Sequence, residues 1–295
     1  MRILVTGGNG QLAQDIQRCW RGHDVVRVSR EQVDICHSSA VDDLMRQVRP
    51  DCIINTAAFH FVDACEDQAE QAFQANAAAV LHLTRAAQAA GAILVQFSTD
   101  YVFDGAKQSP YIESDPAHPL SVYGVSRLAG EQLAQQYCER TYVVRTCGLY
   151  GIGGRTTRAG NFVETMLRLA RAGKAIRVVD DQIVTPTSTR ELAEKLAQLV
   201  PAAPFGLYHM TNTGQCSWYE FACEIFRLFG VSPELSPVSS ADFGARARRP
   251  RYSVLDNCRL RAAGIAEFRP WKDALADYVA ERRATELASP SASRS

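Results

Sequence analysis

The chain has 295 residues, and its 32 Lys and Arg residues balance 32 Asp and Glu residues, so the formal net charge is zero. A neutral chain gives no electrostatic reason to bind nucleic acid or an anionic membrane, and no apolar run approaches the ~20 residues of a membrane span. The nine cysteines are scattered without a Cys-x-x-Cys pair, so neither a metal site nor a disulfide framework is predicted. No secretory leader precedes the first apolar segment, and we expect a reducing, cytoplasmic setting.

Short apolar segments alternate with segments of helical periodicity over the first half of the chain. The predicted strands are residues 2–6, 24–28, 52–55, 93–98, 142–145 and 176–179. The main predicted helices are residues 11–20, 40–48, 66–90 and 122–137. Strands that are apolar throughout and separated by helices indicate a parallel sheet covered on both faces. With right-handed crossovers, the predicted fold is α/β, a doubly wound parallel Rossmann sheet.

The alternation loosens beyond about residue 150, where glycine-rich and polar turns appear, although residues 217–229 and 271–283 keep helical periodicity. We therefore expect an NAD(P)-binding Rossmann domain over residues 1–150. A smaller C-terminal α/β region over residues 151–286 would bind the substrate, with segments that return to the Rossmann sheet. Residues 287–295 are predicted to form a disordered tail.

The first predicted strand leads into a glycine-rich turn that ends where a helix begins, near Gln11. Gly7 and Gly10 permit a tight backbone path and a close approach to a pyrophosphate, whose charge the free N–H groups of the helix would bind. A position after a strand and before a helix is the context that a dinucleotide-binding fingerprint requires. The turn therefore predicts a dinucleotide site.

The end of the second strand bears on which nicotinamide cofactor binds. An acidic residue there would bind the ribose 2′-hydroxyl, whereas this chain has Arg30, which suits a 2′-phosphate. NADPH is therefore predicted over NADH, with an ordinary exposed arginine as the alternative. Asp34 and Ile35 are candidate adenine contacts. The small residues Ala57 and Ala58 would let the backbone run beside the dinucleotide.

Tyr123 and Arg127 lie four residues apart on one predicted helix, so their side chains share a face. Reduction of a ketone by hydride needs a proton donor, and a nearby cation lowers the pKa of a tyrosine hydroxyl toward neutrality. Arg127 can supply this charge where such chemistry usually has Lys, although it cannot release its own proton. Thr99, which follows the fourth strand, is expected to assist.

Several motifs together resemble the dTDP-4-dehydrorhamnose reductases, within the extended short-chain dehydrogenases/reductases. The matching segments are Thr6-Gly7-x-x-Gly10-Gln11-Leu12, Ser98-Thr99-Asp100-Tyr101-Val102-Phe103-Asp104-Gly105, Tyr123-Gly124-x-Ser126-x-Leu128-x-Gly130-Glu131, Asp181-Gln182 with Pro186-Thr187, and Arg249-Pro250 with Ser253-x-Leu255-Asp256. The likeness covers about residues 1–285. It implies NADPH-dependent reduction of the 4-keto group of a dTDP-linked 4-keto-6-deoxy sugar, giving dTDP-L-rhamnose.

The resemblance also implies roles for single residues. Tyr123 would be the proton donor and Thr99 its polarising partner, and together with Arg127 they form the catalytic set. The implied cofactor contacts are Gly7, Gly10, Gln11, Leu12, Arg30, Asp34, Ile35, Ala57, Ala58, Phe59, Phe97, Tyr123 and Arg127. The implied substrate contacts are Thr99, Asp100, Asn161, Gln182 and Arg249.

Three places depart from the family's pattern. Arg127 replaces the Lys, Gly148 stands where a sugar-contacting Trp is expected, and residues 59–61 replace a small polar stretch with Phe-His-Phe. Two alternatives therefore stay open: a non-catalytic, NADP(H)-binding regulatory relative, and a reductase or epimerase of another nucleotide sugar. His60 is a second candidate acid, although a loop histidine beside the cofactor is the interpretation we prefer. A homodimer and a need for Mg²⁺ stay open as well.

Overall fold

A computed structural model describes residues 1–157 and 160–287 of the chain. Its strands are β1 (Arg2–Thr6), β2 (Asp24–Val28), β3 (Cys52–Asn55), β4 (Ile93–Thr99), β5 (Thr141–Thr146), β6 (Leu149–Tyr150), β7 (Ile176–Val179), β8 (Ile183–Val184), β9 (Thr187–Ser188), β10 (Gly206–His209), β11 (Cys216–Ser217) and β12 (Leu235–Val238). Its helices are α1 (Gln11–Cys19), α2 (Ser38–Val48), α3 (Val62–Asp67), α4 (Ala69–Phe73), α5 (Ala79–Ala90), α6 (Val122–Tyr137), α7 (Phe162–Arg171), α8 (Thr189–Ala202), α9 (Trp218–Phe229), α10 (Ser240–Phe243), α11 (Cys258–Ala262) and α12 (Trp271–Leu287).

A six-stranded parallel sheet in the order β10-β5-β4-β3-β1-β2 forms the centre of the fold. The predicted α/β fold with a doubly wound parallel sheet is confirmed. Continuous burial of the central strands explains their apolar sequences, since helices cover both faces. Ile3 and Val5 pack on one face of the sheet with α1 and α8, and Leu4 packs on the other with α2 and α5.

One predicted strand is not part of the central sheet, where the alternation of strands and helices had placed it. Residues Ile176–Val179 do form a strand, β7, but it pairs with β12 in a separate two-stranded sheet. The edge position beside β5 belongs to β10, which follows α8. Arg177 is exposed between two buried residues of β7, the alternating pattern of a strand with one solvated face rather than of a strand covered on both.

The predicted long helix over residues 66–90 is divided into shorter elements. A π-helical turn at Gln74–Ala78 joins α4 to α5, and such turns often mark functional regions. Its Asn76 Nδ2 donates to Ser126 Oγ on α6 at 3.0 Å, and its Oδ1 accepts from the backbone N–H of Phe59 at 2.9 Å. The turn therefore ties α6 to the loop that follows β3.

The C-terminal region has a smaller core of its own. Helices α7, α9 and α12 pack around β7, with Phe221, Ile225 and Leu275 fully buried. Leu287 is the last residue of α12, and residues 288–295, most of the predicted tail, lie outside the described residues. Over the parts of the chain that are described, no helix combines the length and apolar character needed to cross a membrane.

Candidate active site

A cavity of about 520 Å³ opens at the carboxyl ends of β1, β4 and β5. This is the edge at which open parallel sheets bind ligands. The predicted site residues that line it are Gly10, Gln11, Leu12, Ala58, Phe97, Thr99, Asp100, Tyr123, Arg127 and Asn161. The structure therefore brings the predicted catalytic residues together with part of the glycine-rich turn.

The turn after β1 follows a backbone path that requires glycine, and it leaves N–H groups of α1 open to a ligand. Gly7 has φ +71°, and a Cβ there would lie 2.8 Å from both the backbone N of Ala57 and Oγ1 of Thr56. The backbone N–H of Gly10 donates to the Gly7 carbonyl at 2.8 Å. Gly10 is also the N-cap of α1 and brings no side-chain cap, so the first N–H groups of α1 are free to bind an anion.

Polar side chains of the neighbouring strands hold this turn in place through hydrogen bonds. Thr6 Oγ1 donates to Asn55 Oδ1 at 2.6 Å, and Asn55 Nδ2 donates to Gln96 Oε1 at 2.7 Å, which links β1, β3 and β4. Arg27, on β2, donates Nη1 to the Gly8 carbonyl at 2.8 Å. Sequence reasoning did not single out these supports, because no local motif marks hydrogen bonds between strands.

The residues predicted to hold the adenosine lie outside the cavity, at the end of β2. The Arg30 side chain is 78% exposed and stands 3.5 Å from Asp34 Oδ2. A hydrogen bond from the backbone N–H of Cys36 is the main cause of the lowered pKa of Asp34. Ile35, the other candidate adenine contact, is buried. Arg30 is therefore free to turn toward a 2′-phosphate at low conformational cost.

Close packing of α6 sets the position of Tyr123. A Cβ on Gly124 would lie 2.3 Å from the carbonyl oxygen of Tyr101, and one on Gly130 would lie 2.2 Å from that of Asn76. Only glycine permits this approach, since backbone atoms cannot move aside. The first contact brings the start of α6 against the turn that follows Thr99, and the side chains of Tyr123 and Thr99 line the same cavity.

The pKa of the Tyr123 hydroxyl results from opposing effects. Withdrawal from water raises it, while the charge of Arg127 and the hydrogen bond with Thr99 lower it, and the net shift is upward. The expectation that the Tyr123 pKa moves toward neutrality is therefore wrong. Arg127 acts with the expected sign, but desolvation of a phenolate outweighs it. Tyr123 keeps its proton, as a proton donor must.

Arg127 is 6% exposed, and its Nη2 donates to the carbonyl oxygen of Phe97. Its Nε has no hydrogen-bond partner among residues 1–157 and 160–287. A buried cation with a free donor at the cavity wall can bind an acceptor on a ligand, and its charge favours negative charge developing nearby. This is the environment in which an alkoxide or a tyrosinate is stabilised.

A buried carboxyl group adjoins the catalytic residues. Asp100 is 3% exposed, its Oδ1 accepts from Thr99 Oγ1 at 3.0 Å, and burial raises its pKa. Its Oδ2 has no partner in the described part of the chain. Because an unpaired buried oxygen is costly, Asp100 is suited to bind a hydroxyl group of a ligand in the cavity.

His60 is one of the residues that line the cavity, and it is exposed to solvent. The surrounding protein nevertheless removes enough water to lower the His60 pKa, and the charge of Arg127 lowers it further. Its Nδ1 lies 3.4 Å from the carbonyl oxygen of Ala58. The lowered pKa reduces the share of His60 that carries a second proton at a given pH, which favours Tyr123 over His60 as the proton donor.

Two predicted substrate contacts are placed outside this cavity. Gln182 donates to Ser240 Oγ at 2.8 Å, and Arg249 pairs with Asp63 through contacts of 3.0 and 2.9 Å. Both line a neighbouring cavity of about 530 Å³. Arg249 forms a bidentate pair with a carboxylate on α3, a partner that the sequence did not reveal, and its contact with a substrate stays a prediction.

Other cavity residues were missed by sequence reasoning, notably Trp218 and Phe162. They begin α9 and α7, far along the chain from the catalytic motifs. Helical periodicity over residues 217–229 predicted α9 itself, but no sequence signal indicated its place beside the cavity. Among the residues that the structure describes, no three His, Cys, Asp or Glu side chains are grouped to hold a metal ion.

Comparisons with known proteins agree with the family resemblance that the sequence motifs indicated. Residues 1–284 match the sequence model of a family described as RmlD substrate binding domain. The chain is 41% identical to a dTDP-4-dehydrorhamnose reductase of Streptomyces griseus, over 94% of this chain and 92% of the relative. It is 38% identical to the spore coat polysaccharide biosynthesis protein SpsK of Bacillus subtilis strain 168, over 95% and 98%. A dTDP-4-dehydrorhamnose reductase from Bacillus anthracis, solved in complex with NADP, superposes with a TM-score of 0.90 at 36% identity, over 95% and 99%.

Proposed function

The chain belongs to the dTDP-4-dehydrorhamnose reductase family, and we propose that it reduces the 4-keto group of a dTDP-linked 4-keto-6-deoxy sugar with NADPH in the cytoplasm. One observation carries this proposal. Thr99, Tyr123 and Arg127 line a single cavity that begins at Gly10, in the glycine-rich turn. A proton donor, its polarising hydroxyl and a buried cation thus adjoin a dinucleotide-binding turn.

The residues present fit a nicotinamide dinucleotide. The free N–H groups at the start of α1, which has no side-chain cap, suit a pyrophosphate. When bound, NADPH supplies the hydride that reduces the keto carbon. Residues 1–150 would hold this cofactor and orient it, with Arg30 on the 2′-phosphate and Arg127 on the ribose.

Protonation of the forming alkoxide falls to Tyr123. Its hydroxyl, which burial keeps protonated, gives its proton to the oxygen that was the carbonyl oxygen, and the sugar gains an alcohol. Thr99 polarises the same oxygen through its hydroxyl group. Arg127 stabilises the tyrosinate that remains, until solvent returns a proton.

The sugar nucleotide would lie between the two regions of the chain. Asp100 would bind a sugar hydroxyl through its unpaired Oδ2. Residues 151–286 would supply the rest of the site, beginning with Asn161, whose Nδ2 lies 3.2 Å from Gln11 Oε1. dTDP-4-dehydrorhamnose, giving dTDP-L-rhamnose, is the first substrate to test.

The test follows NADPH oxidation by the purified chain on a panel of 4-keto nucleotide sugars. We expect turnover with at least one dTDP-linked 4-keto-6-deoxy sugar and a product reduced at C4. Turnover only with sugars on another nucleotide would contradict the proposed substrate. NADPH binding without turnover on the whole panel would favour the non-catalytic alternative.

A further inference from the structure

We propose that the indole of Trp218 forms the wall of the site against which the apolar face of the substrate's sugar ring packs, and so contributes to substrate selection. The inference rests on the proposed function and extends it to the sugar contacts. Trp218 is half-buried and lines the same cavity as Tyr123 and Thr99. It belongs to α9, outside every motif that indicated the reaction.

A short series of contacts leads from the proton donor to this indole. Tyr123 lies beside Thr99, whose Oγ1 donates to Asp100 Oδ1 at 3.0 Å. Asp100 lines the cavity together with Cys147, which precedes Gly148. Trp218 therefore stands next to the strand end that carries the proposed sugar contacts.

Gly148 provides the space that the indole occupies. A Cβ at this position would lie 3.2 Å from Cη2 of Trp218 and 3.3 Å from Cα of Pro186. Gly148 also has φ +54°, a conformation that side chains disfavour. No large side chain fits there while the indole keeps its place, so the aromatic surface on this side of the cavity comes from Trp218 rather than from position 148.

The indole is held firmly, as a selective contact must be. Ser217 caps α9 through a reciprocal capping box with Glu220, at 3.0 and 2.8 Å, and its Oγ donates to Asp180 at 2.5 Å. The Trp218 ring packs on Phe162 with centroids 4.7 Å apart and on Phe221 at 6.2 Å. A fixed aromatic surface loses little conformational freedom when a ligand packs on it.

The chemistry of the ligand fits this surface. One face of a pyranose ring and the methyl group of a 6-deoxy sugar are apolar, and rigid aromatic walls with a few placed polar groups are typical of small-molecule sites. Asp100 and Thr99 would bind hydroxyl groups on one side, and Trp218 would cover the apolar face on the other. The indole therefore distinguishes sugars by which of their faces is apolar.

The test compares Trp218→Ala and Trp218→Phe with the matched control Tyr219→Ala, which removes a neighbouring aromatic ring of α9 that does not line the cavity. For Trp218→Ala we expect the KM for the nucleotide sugar to rise at least about tenfold while kcat changes little, the pattern of a lost binding contact. Trp218→Phe should recover most of the loss. The Kd for NADPH should stay unchanged in all three variants.

Inhibition by dTDP alone separates the sugar from the nucleotide. The inhibition constant of dTDP should be unaltered in Trp218→Ala if the indole contacts the sugar, and should rise as much as the KM if it contacts the thymine. Gly148→Ala should raise the KM less than Trp218→Ala does, because its Cβ, 3.2 Å from Cη2 of Trp218, would shift the indole without removing it. An unchanged KM in Trp218→Ala, or a parallel rise for dTDP, would overturn the inference. Absence of turnover by the parent would instead refute the proposed function itself.

Discussion

The charge of Arg127 acts on the hydroxyl of Tyr123 from one turn further along α6, yet the Tyr123 pKa stays above its usual value because burial outweighs that charge. This balance between burial and charge determines the role of Arg127 in the reaction. It offsets part of the cost of forming a tyrosinate during turnover, rather than creating one beforehand. A fixed positive charge is sufficient for this task, and Arg carries it at every relevant pH.

Tyr123→Phe should abolish most of the reduction while NADPH still binds. The change removes the hydroxyl and little volume, and general acid catalysis contributes about 10²–10⁴ in rate. Turnover rates and the Kd for NADPH, measured on both proteins, check this. Retention of most of the rate would move the proton donor elsewhere, with His60 the next candidate.

Arg30→Ala should weaken NADPH binding about tenfold or more and leave NADH binding nearly unchanged. A charge-assisted hydrogen bond to the 2′-phosphate contributes about 1.5–3 kcal/mol, and NADH lacks that phosphate. Titration of both cofactors measures the effect, with Arg21→Ala, another exposed arginine, as the control. Equal affinity of the parent for NADPH and NADH would refute the role of Arg30.

Glu131→Gln should destabilise the fold by about 3–5 kcal/mol, because it leaves a buried charge unpaired. Glu131 is 2% and Arg145 4% exposed, and the two pair through contacts of 2.9 and 2.7 Å. Glu194→Gln is the control, since its pair with Arg190 is about half-exposed and contributes at most about 1 kcal/mol. Denaturant unfolding measures the free energy of unfolding of both variants. Similar losses of stability in the two would contradict the larger contribution of the buried pair.

His209 should make the protein less stable as the medium is acidified. Its pKa is lowered from 6.5 to about 3, first by burial and then by Arg145. Between these values the unfolded chain binds a proton that the folded chain does not, so the free energy of unfolding falls by up to about 1.4 kcal/mol per pH unit. Stability is retained above pH 6.5.

His209→Gln provides the comparison for that effect. The difference in unfolding free energy between parent and variant should shrink as the pH falls from 6.5 toward 3, since the variant has no imidazole to protonate. A difference that is constant over this range would show that His209 does not titrate as described.

The sequence predicted the fold because its signals are local. β1 and β3 contain the buried apolar runs Ile3-Leu4-Val5 and Cys52-Ile53-Ile54, and the turn at Gly7 requires glycine for steric reasons. The spacing of Tyr123 and Arg127 likewise placed both on one face of a helix. These features depend on neighbouring residues alone, so periodicity and turn chemistry suffice to recognise them.

The parts that the sequence did not predict depend on distant partners. The place of Ile176–Val179 was decided by its pairing with β12, and the position of Arg249 by Asp63, which is 186 residues away. The pKa of Tyr123 depended on burial, which no motif reports. Trp218 reaches the cavity only because Gly148, on another element, leaves room for it.

NADPH oxidation with a dTDP-linked 4-keto-6-deoxy sugar, by the parent and by Arg127→Lys, tests directly whether Arg127 supports catalysis. We expect measurable turnover by the parent and a similar or modestly lower rate in the variant, since the ammonium keeps the charge but not the planar fork. No turnover by the parent on any such sugar, followed by activity in Arg127→Lys, would show that the chain lost catalysis through this one residue.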